Sequence, residues 1–172
     1  MKKPHKIEKA LGFIIMKLLS FIKPSWSTKA ALFFYPRWGM ILKGKPNYIS
    51  SSCWFDGSDY SRIILSEGCT ISSHVSFLTH DWSLHSIGRS LGIEKEKPIG
   101  RHGNINIGAY AFIGRGSIIM PNVTIGRGCI IGAGCVVRGT IPEYSIVIGN
   151  PSKIIGRSDD YFNKLTSDIN ET

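Results

Sequence analysis

Thr79-His80-Asp81 is where side-chain chemistry is easiest to place in this chain. An imidazole titrates near neutral pH, so a well-held histidine can take a proton from a hydroxyl and return it. His80 stands at the mouth of a 23-residue stretch, 83–105, that interrupts an otherwise regular pattern. Long excursions from a compact domain usually carry function. The plainer alternative is that His80 is one more corner residue of that pattern. His85 and His102 lie inside the excursion, and His74 just before it. The four cysteines, Cys53, Cys69, Cys129 and Cys135, include no Cys-x-x-Cys pair, which speaks against zinc and disulfides. They read as small buried hydrophobes in a reducing, cytoplasmic setting.

The elements that must hold His80 repeat every six residues. From Ile107 the blocks run IGAYAF, IGRGSI, IMPNVT, IGRGCI and IGAGCV, followed by Val137. An aliphatic residue opens each block, glycine usually follows, and the fifth place is small: Ala111, Ser117, Val123, Cys129, Cys135. The same phase holds at Leu65, Ile71 and Phe77, and earlier at Ile49 and Phe55, with an irregular bulge expected over 57–62. A period of six is neither helical nor simple strand alternation. It predicts an all-β fold, a left-handed parallel β-helix of nearly four coils, with the openers pointing inward. Glycine in the second place is expected to relieve a turn. The period is expected to end at Ile141-Pro142, and the chain to leave through Gly149-Asn150-Pro151-Ser152-Lys153.

Three units follow: a basic lead-in at 1–46, the repeat domain at 47–157 with its loop at 83–105, and a C-terminal helix or tail at 158–172. Of 21 Lys and Arg, ten fall in residues 1–45 against one acid, Glu8. Ile7 to Ile22 predicts an amphipathic helix, too short and too interrupted by Lys17 to span a bilayer. Either it packs on the end of the β-helix or on a neighbouring subunit, or residues 6–23 lie peripherally on an anionic inner membrane face. Residues 24–48 read as a short helix or an extended lead-in that caps the coil or lines a substrate surface. Ser158 is expected to N-cap the last helix, with Asp159 and Asp160 in its first turn. No nucleic-acid-binding fold accompanies the basic segment, so nucleic acid is not an expected partner.

The repeat block, Thr79-His80-Asp81 before a loop, and Gly149-Asn150-Pro151-Ser152-Lys153 together resemble the hexapeptide-repeat acyltransferases, in the maltose, galactoside and polysaccharide O-acetyltransferase branch. The resemblance covers about residues 47–157 and specifies the superfamily far more than the substrate. It implies a homotrimer with active sites between subunits, acetyl-CoA as co-substrate in the groove between β-helices, and no metal. Residue by residue, it implies His80 as the base. Asp81 either orients the ring or faces water. Phe112 stands beside the thioester, where relatives often have Trp. Ala133 lies on the pantetheine arm, Arg115 contacts coenzyme A, and Arg138, Lys153 and Arg157 supply charge to the phosphates. Arg115 replaces a smaller residue and Gly139 stands where relatives often carry Lys, so the phosphate contacts depart from the pattern. For Arg115 and Arg127 a solvated face is an equal reading.

The implied reaction is direct acetyl transfer to a hydroxyl of a small-molecule or lipid-linked sugar in cell-surface polysaccharide synthesis. No nucleophile with an adjacent base is visible, so no acyl-enzyme is expected. The alternatives are N-acetylation of an amino-sugar nucleotide and a non-catalytic β-helix scaffold. The other enzyme class on this fold, the γ-carbonic anhydrases, binds zinc through three histidines. His80 and His85 suit that spacing, but the third ligand would fall near Gly44 and Lys45.

Overall fold

The computed structural model describes residues 6–56 and 59–170. The chain opens with α1 (Lys6–Ile22) and α2 (Pro24–Arg37). It then enters a run of short strands: β1 (Ile41–Lys43), β2 (Tyr48–Ile49), β3 (Trp54–Phe55), β4 (Ile63–Ser66), β5 (Thr70–Ile71) and β6 (Ser76–Phe77). The excursion supplies β7 (His80–Asp81), α3 (Ser83–Ser90) and β8 (Arg101–His102). The run resumes with β9 (Ile105–Ile107), β10 (Phe112–Ile113), β11 (Ile118–Ile119), β12 (Val123–Ile125), β13 (Ile130–Ile131), β14 (Val136–Val137), β15 (Thr140–Ile141) and β16 (Ser145–Ile148). It closes with β17 (Lys153–Arg157) and α4 (Ser158–Asn170).

Successive strands visit three sheets in strict rotation. The first is β1-β4-β9-β12-β15, the second β2-β5-β10-β13-β16 with β17 added at its edge, and the third β3-β6-β11-β14. Every pairing in them is parallel except β16 with β17. The block openers lie in register up each wall. Leu42, Leu65, Ile107, Ile125 and Ile141 form one ladder, and Ile49, Ile71, Ile113, Ile131 and Val147 the next. Phe55, Phe77, Ile119 and Val137 form the third, with the two phenyl rings stacked 4.6 Å apart. Nearly all are fully buried, and each such side chain contributes roughly 1.5–3 kcal/mol.

Three sequence expectations need correction. The coil begins one strand early, at β1, because Leu42 is seven residues rather than six before Ile49. It also continues past Ile141, which pairs with Ile125 only four residues after Val137. Register is set by strand pairing, and corners absorb changes in length. The role of glycine also moves. Second-place glycines have no left-handed backbone; a Cβ on Gly114 would lie 2.6 Å from the Ala133 nitrogen of the next turn. They are small because stacked turns touch there. Left-handed backbone falls instead on the fourth residue of most blocks, at Gly68, His74, Tyr110, Gly116, Asn122, Gly128, Gly134 and Tyr144. Part of the expected bulge, residues 57 and 58, lies outside the described residues; its remainder is a 3-10 turn at Tyr60–Arg62.

A helix covers the first end of the strand run, and the last end is edged by the antiparallel β17. On the β1–β3 side, α2 docks through the Thr28 hydroxyl, 3.3 Å from the Ile49 nitrogen, and through Tyr35, whose ring meets Phe55 at 4.9 Å. Residues 24–37 therefore cap the coil as a full helix. At the other end the chain turns back antiparallel, and Ser158 starts α4. Its hydroxyl donates to the Gly128 carbonyl at 2.6 Å, so it ties the helix to the wall rather than capping it. The fifth-place cysteines are buried as expected. Burial pushes the Cys53 and Cys69 thiols up to about 12.

Two outcomes follow from this packing. Gly116→Asn should cost about 1 kcal/mol or less, since Asn122 already holds that conformation, whereas Gly114→Asn should cost about 3 kcal/mol by overpacking; urea midpoints compare them. The native thiols should resist a disulfide reagent at pH 8 and react once unfolded. Because the folded thiols stay neutral while unfolded ones ionise near about 8.5, stability should hold below that pH and fall as pH rises toward 12.

Candidate active site

His80 and its neighbours sit where the third sheet hands the chain to the first. Asp56 follows β3 at this corner, Thr79 and His80 follow β6 one turn above, Met120 to Asn122 follow β11, and Arg138 and Gly139 follow β14. Stacking therefore brings Asp56 against His80 across 24 residues of sequence. The Asp56 carboxylate is almost fully buried and gathers three donors on Oδ2. These are the Thr79 nitrogen at 3.2 Å, the Thr79 hydroxyl at 2.9 Å and Nδ1 of His80. With Nδ1–H given to a carboxylate, a neutral ring keeps Nε2 as its basic nitrogen. His80 itself is partly exposed.

Asp56 is the partner of His80 that sequence reading missed. The signal was faint: a lone acid directly after an opener, one turn below the histidine. Asp81 does not hold the ring. Its Oδ1 accepts the Ser83 N–H at 2.9 Å, at the start of α3. That hydrogen bond first, and then the Arg101 and Arg138 charges, hold its carboxyl below the ordinary range.

The excursion is more ordered than its composition suggested. It holds α3, whose Leu84 and Ile87 follow helical spacing, and a return strand, β8, antiparallel to β7. Pairing sets His102 opposite His80 and Arg101 opposite Asp81. The Trp82 ring lies 5.1 Å from His80 and 5.4 Å from His102. Gly103 closes the hairpin by donating to the Thr79 carbonyl at 2.8 Å, and a Cβ there would meet the Asn122 nitrogen at 2.4 Å. Asp81, Arg101, Met120, Asn122 and Arg138 line a cleft of about 230 Å³ beside it. His85 is turned elsewhere, its Nδ1 accepting the Ile99 N–H at 3.4 Å. No group of three metal-ligating side chains occurs among the described residues.

The remaining sequence candidates are not gathered at this corner. Phe112 is half-exposed on the second sheet, and Arg115 and Ala133 are exposed on stacked turns between the second and third sheets. Lys153 pairs with Ile148 on the added antiparallel strand. Arg157 is ion-paired to Asp159, with Asp160 at 4.0 Å and Tyr144 under its guanidinium. Arg127 lies over the Tyr110 ring at 4.8 Å, as a stacked wall residue. In one protomer, then, His80, Asp81 and Arg138 lie at one corner, and Phe112, Arg115, Ala133 and Lys153 on another face.

Residues 104–139 match the family model for bacterial transferase hexapeptide, six repeats. The stretch is built of bacterial-transferase hexapeptide repeats. Over 123 residues, or 72% of this chain, the hexapeptide-repeat chain is 35% identical to a provisionally named acetyltransferase of Staphylococcus aureus (strain MRSA252). A provisionally named acetyltransferase of Schizosaccharomyces pombe is 33% identical over 117 residues, 68% of this chain and 53% of its own length. The chain spans 57% of the Staphylococcus relative's length. Among solved structures, a galactoside acetyltransferase in complex with coenzyme A shares the fold, with a TM-score of 0.58 and 20% identity. That match covers 90% of this chain and 82% of the other. A maltose O-acetyltransferase from Clostridium difficile 630 does so with a TM-score of 0.54 and 22% identity, covering 75% of each.

Asp56→Ala should lower stability by about 2–4 kcal/mol in urea unfolding, since it strands the buried Thr79 donors. Asp81→Ala, at an exposed helix start, should move the midpoint far less.

Proposed function

We propose that this chain is an acetyl-CoA-dependent O-acetyltransferase that acts directly on a sugar hydroxyl, with His80 as general base. The observation that carries the reading is the buried Asp56 carboxylate on Nδ1 of His80, which leaves Nε2 basic at an exposed corner beside a cationic cleft. Transferase-type repeats and relatives named as acetyltransferases support the class. A polysaccharide precursor, free or lipid-linked, is the acceptor, and the setting is the cytoplasm. No helix among the described residues is long and apolar enough to cross a membrane.

In this reading the three walls form a closed left-handed triangular β-helix over 47–157, between a helical lead-in at 1–46 and a C-terminal helix from 158. The working particle is a homotrimer, in which the His80 corner of one subunit faces the Phe112–Ala133 face of the next. The division of candidate residues between two faces of one protomer supports this. So do the exposed apolar side chains of α3, Leu84 and Ile87, and the exposed Phe112 ring.

The residues fit acetyl-CoA as co-substrate. Arg138, and Arg101 from the return strand, are exposed cations at the cleft, and Lys153 is a third at the end of the coil. Guanidinium and ammonium groups suit phosphates. Arg157 is already shared with Asp159 and contributes less. Ala133 and the exposed glycine backbone around it leave room for a thin pantetheine chain. Acetyl-CoA supplies an activated acyl group with a good thiol leaving group. Nε2 of His80 takes the proton of the acceptor hydroxyl as its oxygen attacks, and then returns that proton to the departing sulfur. Asp56 steadies the charge that the ring carries meanwhile. Proximity supplies much of the remaining acceleration.

Thiol release from acetyl-CoA with a panel of sugars and sugar nucleotides tests this. Acceptor-dependent release should fall at least about 100-fold in His80→Ala, the scale of general-base catalysis. It should fall about tenfold or more in Asp56→Asn. Equal rates in wild type and His80→Ala would overturn the base. Activity confined to amino-sugar nucleotides would replace O- by N-acetylation, and failure to bind coenzyme A would leave a non-catalytic scaffold.

A further inference from the structure

The helix α1 shows the protein only one side. Gly12 and Met16 are buried, and Trp38 lies so close that a Cβ on Gly12 would sit 2.5 Å from its ring. The ring of Phe13 meets Trp38 at 5.0 Å. On the other side a stripe of large apolar residues faces outward: Ile7, Leu11, Ile14, Leu18, Phe21 and Ile22, each between 54% and 79% exposed. Their spacing puts them on one face, an arc of about 100° turned away from the packed side. A contiguous patch of this kind marks an interaction surface.

We propose that α1 docks the protein on an anionic lipid bilayer surface, lying in the interface with this stripe immersed. Charge decides among occupants. Residues 1–45 carry ten Lys and Arg against one acid, and on the helix Lys6 and Lys17 border the stripe. A second copy would bring the same cations to the same face, whereas an anionic leaflet complements them. Short length and interior lysines bar α1 from crossing, consistent with the lack of any spanning helix among the described residues. The apolar surface continues onto α2 as an open groove of about 510 Å³ lined by Leu19, Trp26, Lys29 and Ala30. An exposed Trp beside Lys suits the headgroup level, where amphipathic side chains settle.

The surface is independent of the transferase reading, because no residue of α1 belongs to the His80 corner. Flotation of the full chain with vesicles of phosphatidylcholine alone, or with about 30% phosphatidylglycerol, tests it without any activity assay. The protein should float with anionic vesicles, poorly with neutral ones, and less at high salt. Ile14→Glu with Leu18→Glu should lower the bound fraction about tenfold or more while leaving the urea midpoint unchanged, since both side chains are exposed. Lys6→Glu with Lys17→Glu should weaken binding to anionic vesicles selectively. Absence of flotation with anionic vesicles would overturn the proposal. A particle in solution that falls apart with Ile14→Glu and Leu18→Glu, without vesicle binding, would assign the stripe to a second copy instead.

Discussion

Every part of this protein depends on successive turns stacking at one strand separation, with the same inward position occupied on each wall. Parallel pairing fixes neighbouring strands about 4.8 Å apart, so a side chain has room only for partners directly above and below. The ladders of Leu42 to Ile141, Ile49 to Val147 and Phe55 to Val137 meet that constraint with aliphatic and aromatic groups of similar depth. The corners answer it differently. Close approach demands glycine in second place, and reversal of direction demands a left-handed residue in fourth place.

Stacking also pairs an imidazole with a carboxylate that sequence separates. Asp56 and His80 are neighbours because each follows the third wall, one turn apart. A buried carboxylate is tolerable there because Thr79 and His80 supply its donors. The interruption at 83–105 then adds what a regular wall cannot: Trp82 and His102 beside the ring, and Arg101 facing Asp81 at the cleft. Because corners absorb length changes without shifting register, an excursion can be inserted without disturbing the ladders on either side.

The two ends behave unlike each other. The α4 end is tied to the wall by Ser158 and the antiparallel strand before it. At the α2 end, aromatic packing of Tyr35 against Phe55 and Tyr60 seals the core, and α1 then packs on α2 and Trp38 by a narrow face. The outer helix is thus held by the fold yet presents most of its apolar surface outward.

The repeat, its inward openers, its small buried fifth places and both terminal helices were legible in the sequence, because burial acts on each six-residue block locally and leaves a period. His80 was legible as the residue at the mouth of the interruption. What only the tertiary structure decided were relations between turns. Leu42 and Ile141 join the ladders at seven- and four-residue spacings that hide them from a strict period. The separate duties of second- and fourth-place glycine depend on contacts to the next turn and on backbone angles that composition does not distinguish. Order in the excursion rests on Asp81 at the start of α3 and on β7–β8 pairing. The partner of His80 proved to be Asp56 rather than the adjacent Asp81, since stacking brings a residue one full turn away into contact while Asp81 accepts from Ser83 at the start of α3.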